Sequence, residues 1–370
     1  MSRVFALVSF VLAAVSATRA GEPLRLVLAG QALIKHDVRE SSPQKFAAIR
    51  GLLDAGSADA VFTNLEVAID NGRGQPTRTT QFFHATKPTV VDALKSWGFN
   101  LLSLSNNHAF DLGPDGVLGT IDAVRERGFV HAGTGATLAA AAAPAILTTK
   151  RGRVALVSFG SGKLGEGAAA TATRAGLNEV RLDEKSREIV REDAERVFAA
   201  LRAAATSAEV VIAYQHDHYW EPDNRVTPAW KRPFAKACID AGATVFVSHG
   251  APLLHGIELH RGRPIFYDLG GLVFHTITAP GYYLPEVWEG AIARAEFSGG
   301  RVTALTLHPI ALNERGEGEP PDKRYYETRG VPSPATGAQA RAVLERLARL
   351  SAAFGTRLSV EGGAARLILP

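Results

Sequence analysis

What most constrains this chain is a unit that it repeats: an apolar run that stops at a cluster of polar residues and restarts as a helix. The stretch Leu101-Leu102-Ser103-Leu104-Ser105-Asn106-Asn107-His108, followed by Asp111-Leu112-Gly113-Pro114, shows it in full. A short apolar run bounded by turn residues reads as a buried strand. Pro114, just after Gly113, reads as the opening turn of a helix. The polar cluster is therefore predicted at the carboxyl end of a strand, where open α/β sheets bind ligands. Two amides, an imidazole and a carboxylate offer the oxygen and nitrogen donors that suit divalent metals. Taken alone, the same residues would serve equally well as a polar turn that satisfies its own backbone.

The unit recurs along the chain. Leu24 to Ala29 ends at Gly30-Gln31, and Ala60 to Thr63 ends at Asn64-Leu65-Glu66. Arg153 to Phe159 runs into a glycine-rich loop, Gly160 to Gly167. Glu209 to Tyr214 ends at Gln215-His216-Asp217-His218-Tyr219-Trp220, and Thr244 to Val247 ends at Ser248-His249-Gly250. Helical spacing is predicted for Pro43 to Leu53, Pro88 to Trp97, Pro114 to Arg127, Lys185 to Ala205 and Trp230 to Ala241. Such alternation indicates a layered α/β fold. Ala291–Phe297 and Val302–His308 read as a hairpin across Ser298-Gly299-Gly300, so a mixed sheet or a sandwich is expected. No linker divides the chain, and 21–370 is expected to form a single domain with a C-terminal helical segment at about 336–356.

Residues 1–20 read as a signal peptide rather than as fold. Arg3 precedes an apolar run from Val4 to Val15, and small residues at Ala17 and Ala20 mark cleavage positions. The run is short for a membrane span. The expected location is secreted or periplasmic, or membrane-anchored if the segment is not cleaved. The formal charge of +4 is spread without a basic block, so nucleic acid is not an expected partner. The single cysteine, Cys238, excludes an internal disulfide framework and reads as a small core residue.

At the tips, Glu66 reads as a metal ligand or base, or as a capping carboxylate. His216 and His218, two apart on an extended strand, point the same way, which suits metal or phosphate contact. His249 beside Gly250 is a ligand candidate; His255 is a weaker one. Asp111 either orients His108 or caps the following helix. Trp220 either walls the site or belongs to the core. Lys35 and Arg39 either meet an anionic substrate or are solvated. His84, His131, His260, His275 and His308 read as structural or solvent-facing. Neither a nucleophile elbow nor a phosphate or dinucleotide loop is present.

These motifs together resemble the CapA family of capsule or poly-gamma-glutamate biosynthesis proteins. The matching residues are Asn64-Leu65-Glu66, Ser103 to His108 with Asp111-Leu112-Gly113, His216, Ile239 to Ala243, Ser248-His249-Gly250 and Gly256 to Gly270, covering roughly 24–310. The resemblance implies a mixed α/β fold, a four-layer α-β-β-α sandwich as in calcineurin-like metallophosphoesterases, with metal ligands at the strand tips. It implies Glu66, Asn107, His216 and His249 as metal ligands, with His108, His216 and Asp111 catalytic. Gln31, Asn64, His218 and His255 are further candidates. Two departures stand out. The family has Gly-Asp where this chain has Gly30-Gln31, and a neutral amide does not keep the charge balance of a bridging carboxylate. The family's Gly-His-His-Pro-His is Ser248-His249-Gly250-Ala251-Pro252 here. One divalent metal (manganese, iron or zinc) or none is therefore expected rather than two. The implied role is in making an anionic cell-surface polymer or handling its precursor, with membrane-bound biosynthesis partners. It is either that of a metal-dependent phosphoesterase-like hydrolase or that of a non-catalytic polymer-binding or assembly subunit.

Overall fold

The computed structural model describes residues 22–183 and 185–369; the expected signal peptide at 1–20 lies outside them. Two mixed sheets organise the chain. In the first, Leu24–Leu28, Ala60–Asn64, Leu101–Ser103 and Val130–Ala132 run parallel in that order. Leu24–Leu28 then continues antiparallel through Glu289–Ser298 to Arg301–Leu312, the expected hairpin. Ala364–Leu367 and Leu358–Glu361 extend that edge. In the second sheet, Arg153–Ser161, Val210–Asp217, Val245–His249 and Arg263–Phe266 are parallel, with Ala145–Thr148 and Ile257–His260 antiparallel at the two edges.

The near-continuous apolar runs of the parallel strands follow from burial on both faces. Between the sheets, Leu26, Leu28 and Phe62 meet Leu156, Ile212, Tyr214 and Val247 in one core. The rings of Phe62 and Tyr214 meet across the layers at 5.2 Å. Burying each such Leu, Ile or Phe contributes about 1.5–3 kcal/mol. On the outer face of the first sheet, helices Pro43–Leu53, Thr89–Trp97 and Gly113–Glu126 bury Ile49, Leu94, Trp97 and Val124. Against the second sheet, helices Arg191–Ala205 and Lys231–Asp240 bury Val197, Leu201, Phe234 and Cys238. The result is the four-layer α-β-β-α sandwich. Helix Gly337–Ala352 adds Val343, Leu344 and Leu347 to the inter-sheet core.

One predicted helix is shorter than its pattern. The Lys185–Ala205 segment becomes helical only at Arg191. Before that, Leu182–Asp183 pairs with Glu188–Ile189 in a hairpin. Asp183 Oδ1 accepts the backbone N–H groups of Lys185 and Ser186 at 3.0 and 2.8 Å. A short carboxylate that captures nearby amides favours a turn over a helix. Because the parallel strands of both sheets end at the same rim, their polar tips converge there.

Candidate metal centre

The tip that follows Leu101–Ser103 is fastened to its neighbour first. Asn106 Nδ2 donates to Asn64 Oδ1 at 3.1 Å and to the Leu65 carbonyl at 2.8 Å. Asn106 Oδ1 accepts from the His108 backbone at 3.0 Å. The Asn106 side chain thus shapes the turn and leaves Asn107 and His108 facing a cleft of about 440 Å³. From there a connected chain of contacts runs inward. His108 Nδ1 donates to Asp111 Oδ2 at 3.0 Å. Asn107 Nδ2 reaches His108 Nε2 at 3.0 Å, and Asn107 Oδ1 faces His216 Nε2 at 2.9 Å.

Asp111 orients rather than caps. Helix Gly113–Glu126 begins without a side-chain cap. The fully buried Asp111 carboxylate instead takes His108, the backbone N–H of His84 at 2.7 Å and Arg78 Nη2 at 2.8 Å. Arg78 also donates to the Asn107 carbonyl at 3.0 Å. His84, expected to be structural or solvent-facing, is buried beside the site, with its ring 4.4 Å from that of His108. It sits in an irregular segment where no periodicity marks it.

Among the described residues, Glu66, His216 and His218 form the group of acidic and imidazole donors that converge closely enough to hold a cation. His216 Nε2 lies 3.0 Å from His218 Nε2 and 3.6 Å from Glu66 Oε1. The Asn64 amide, 3.4 Å from His216 Nδ1, holds the other edge of that ring. Two donors each about 2.1 Å from one ion, at tetrahedral to right angles, lie about 3.0–3.4 Å apart; the two imidazoles at 3.0 Å fall inside that span, and Glu66 at 3.6 Å lies just beyond it. One imidazole nitrogen also cannot satisfy three facing groups with a single proton. A shared cation resolves that conflict.

Further buried atoms at the same rim lack hydrogen-bond partners: Gln31 Oε1, Glu66 Oε2, His249 Nε2 and Asp268 Oδ2. His249 is the cross-strand neighbour of His216, and its Nδ1 meets the Tyr214 hydroxyl at 3.1 Å. Unpaired buried acceptors are costly, so this set also fits a bound cation. Asp268 was not singled out from the sequence. His255 is not among the converging donors; its Nε2 donates to the Asn224 carbonyl at 3.0 Å.

Burial dominates the electrostatics. It pushes the Glu66 carboxyl well above the usual range, with Asp268 adding to the effect. It holds His216 and His218 well below the usual imidazole range and His249 at about 3. His108 is lowered by burial too, but Asp111 works in the opposite direction. Burial thus favours the neutral form of His216, His218 and His249, the form that metal ligation requires.

The family described as "Bacterial capsule synthesis protein PGA_cap" matches residues 25–276. The chain is 28% identical to "Uncharacterized protein y4sH" of Sinorhizobium fredii, over 94% of this chain and 93% of that one. It is 28% identical to "Capsule biosynthesis protein CapA" of Bacillus anthracis, over 59% of this chain and 51% of that one. Among solved structures, a hypothetical protein from Thermus thermophilus superposes with a TM-score of 0.45 at 15% identity, over 77% of this chain and 98% of that one.

Proposed function

This chain belongs to the bacterial capsule synthesis protein family PGA_cap, and from that premise we propose that it is a metal-dependent hydrolase of the cell envelope. It would act on a phosphoester or amide bond of an anionic surface polymer or its precursor. The observation that carries this reading is the continuous path from Asp111 through His108 and Asn107 to the Glu66–His216–His218 donors.

Glu66, His216 and His218 would hold a divalent cation, with Asn107 Oδ1 and His249 Nε2 as further donors. The cation would act there as a Lewis acid on the scissile group. His108 moves the proton. Its Nδ1–H is tied to Asp111, which fixes the tautomer and stabilises the imidazolium that forms when Nε2, released from Asn107 Nδ2, takes a proton from the water that attacks the scissile group. His108 then returns that proton to the leaving group. His216, fully buried and set among the donors, is better suited to ligation than to proton transfer.

The test is metal content per chain after purification without chelators, followed by a screen of phosphoester and amide substrates. Near-stoichiometric manganese, iron or zinc, lost in a His216→Ala and His218→Ala double variant, is the expected result. A folded, metal-free chain that takes up no added metal and cleaves nothing would overturn the reading. Gln31, a neutral amide on the cleft, favours the second reading of a non-catalytic polymer-binding or assembly subunit. On that reading, His108→Ala leaves polymer binding intact.

A further inference from the structure

The loop after strand Arg153–Ser161 places a lysine at the cleft in an unusual backbone state. Gly162 and Lys163 both have positive φ, 66° and 48°. A side chain at position 162 would come within 3.0 Å of the His218 carbonyl carbon and 3.1 Å of the Tyr219 nitrogen. The loop therefore lies directly on the turn that carries His218. A lysine seldom adopts the left-handed region, and such residues concentrate at sites of function.

From that position Lys163 heads a column of stacked groups. Its Nζ lies 4.5 Å from the centre of the Trp220 ring. Trp220 is fixed by its Nε1–H, which donates to the Asp217 carbonyl at 2.9 Å, and its ring lies 4.6 Å from that of His218. The His218 ring lies 4.9 Å from that of His216. The column runs from solvent to the donor cluster. Among the described residues the ammonium has no ion pair and no hydrogen bond; its contact is the Trp220 face. Arg78, the other cation lining the cleft, is engaged by Asp111 and the Asn107 carbonyl.

We propose that Lys163 is the specificity-determining contact of the cleft, docking an anionic group of the substrate, a carboxylate or a phosphate, remote from the bond that is cleaved. This rests on the hydrolase reading of the same cleft. The Trp220 face holds the side-chain nitrogen at the mouth of the cleft, and an oxyanion arriving there displaces solvent rather than a protein carboxylate.

Titration calorimetry of the whole chain at low salt, with a short oligoglutamate and a short-chain polyphosphate as probes, tests the assignment. Lys163→Met should weaken binding on the order of tenfold, and Lys163→Arg should restore it. Metal content and melting temperature should match the wild type in both variants. A loss confined to one probe supports the assignment and identifies the anion. Wild-type affinity in Lys163→Met, failure of Lys163→Arg to restore binding, or no binding of either probe to the wild type would overturn it. The two readings separate cleanly. A metal-free, inert chain in which Lys163→Met still weakens the probes sinks the hydrolase and keeps the docking site. A metal-loaded, active chain in which Lys163→Met binds normally does the reverse.

Discussion

His108 and Asp111 are joined by a 3.0 Å bond from Nδ1 to Oδ2, inside a pocket where the carboxylate is wholly shielded from solvent. The same carboxylate holds Arg78 and the backbone of His84, so one buried charge sets three neighbours at once. Nδ1 therefore carries the ring proton, and Nε2 is left as the acceptor that faces Asn107 Nδ2 at 3.0 Å.

Asp111→Asn keeps the shape and removes the charge. Turnover should fall by about 10²- to 10⁴-fold, while metal content stays near that of the wild type. Arg78 loses its counter-charge, so the melting temperature should fall as well. Parallel kinetics and metal analysis check this; equal loss of metal and turnover would show Asp111 acting through the donor set instead.

Metal binding should be proton-linked. The Glu66 carboxyl, raised by burial, must give up its proton when a cation enters. Affinity should therefore rise with pH until that raised value is passed, and fall as acid reprotonates the carboxyl. At free metal one hundred times Kd the stabilisation should be about 2.7 kcal/mol, read as a melting shift that chelator removes. Glu66→Gln should flatten the pH dependence of the affinity.

Glu258 gives a pH signature remote from the site. Burial opposes its ionisation, but bonds from Arg232, Lys236 and Tyr267 override that and hold its carboxyl at about 2, against an ordinary 4.5. Because the folded value is the lower one, its contribution is complete above 4.5 and disappears as pH falls toward about 2. Denaturant melts across this window should show the gap between wild type and Glu258→Gln narrowing with acid.

Gly250 follows His249 with a φ of 132°, and a Cβ there would lie 2.0 Å from the Asp217 carbonyl oxygen. Gly250→Ala must push apart the tips that carry His249 and His218. A loss of about 2–4 kcal/mol is expected, with weaker metal uptake. Unchanged melting would contradict the close approach.

The strand tips were legible because each is a local pattern, an apolar run with a polar stop. Glu66, Asn107, His108, His216 and His249 could be picked out on that basis. Pairing is not local: Leu24–Leu28 lies between Ala60–Asn64 and the distant Glu289–Ser298, which no periodicity records. Arg78 and His84 matter through contacts with Asp111 across an irregular segment. Asp268 matters because it is buried without a partner for Oδ2. The early start expected for the Arg191–Ala205 helix was wrong for a local reason, the capture of backbone amides by Asp183.

The contact between Asn107 and His216 joins residues 109 positions apart, one from each sheet. The centre consequently exists only when the two halves of the sandwich have docked in register. A nascent or truncated chain that has built only the parallel strands from Leu24–Leu28 to Val130–Ala132 carries Glu66 and His108 but has no working site. An ion shared by Glu66 and His216 would also cross-link the layers. Its effect would be greatest on the unfolding rate, because the sheets must part before either can melt.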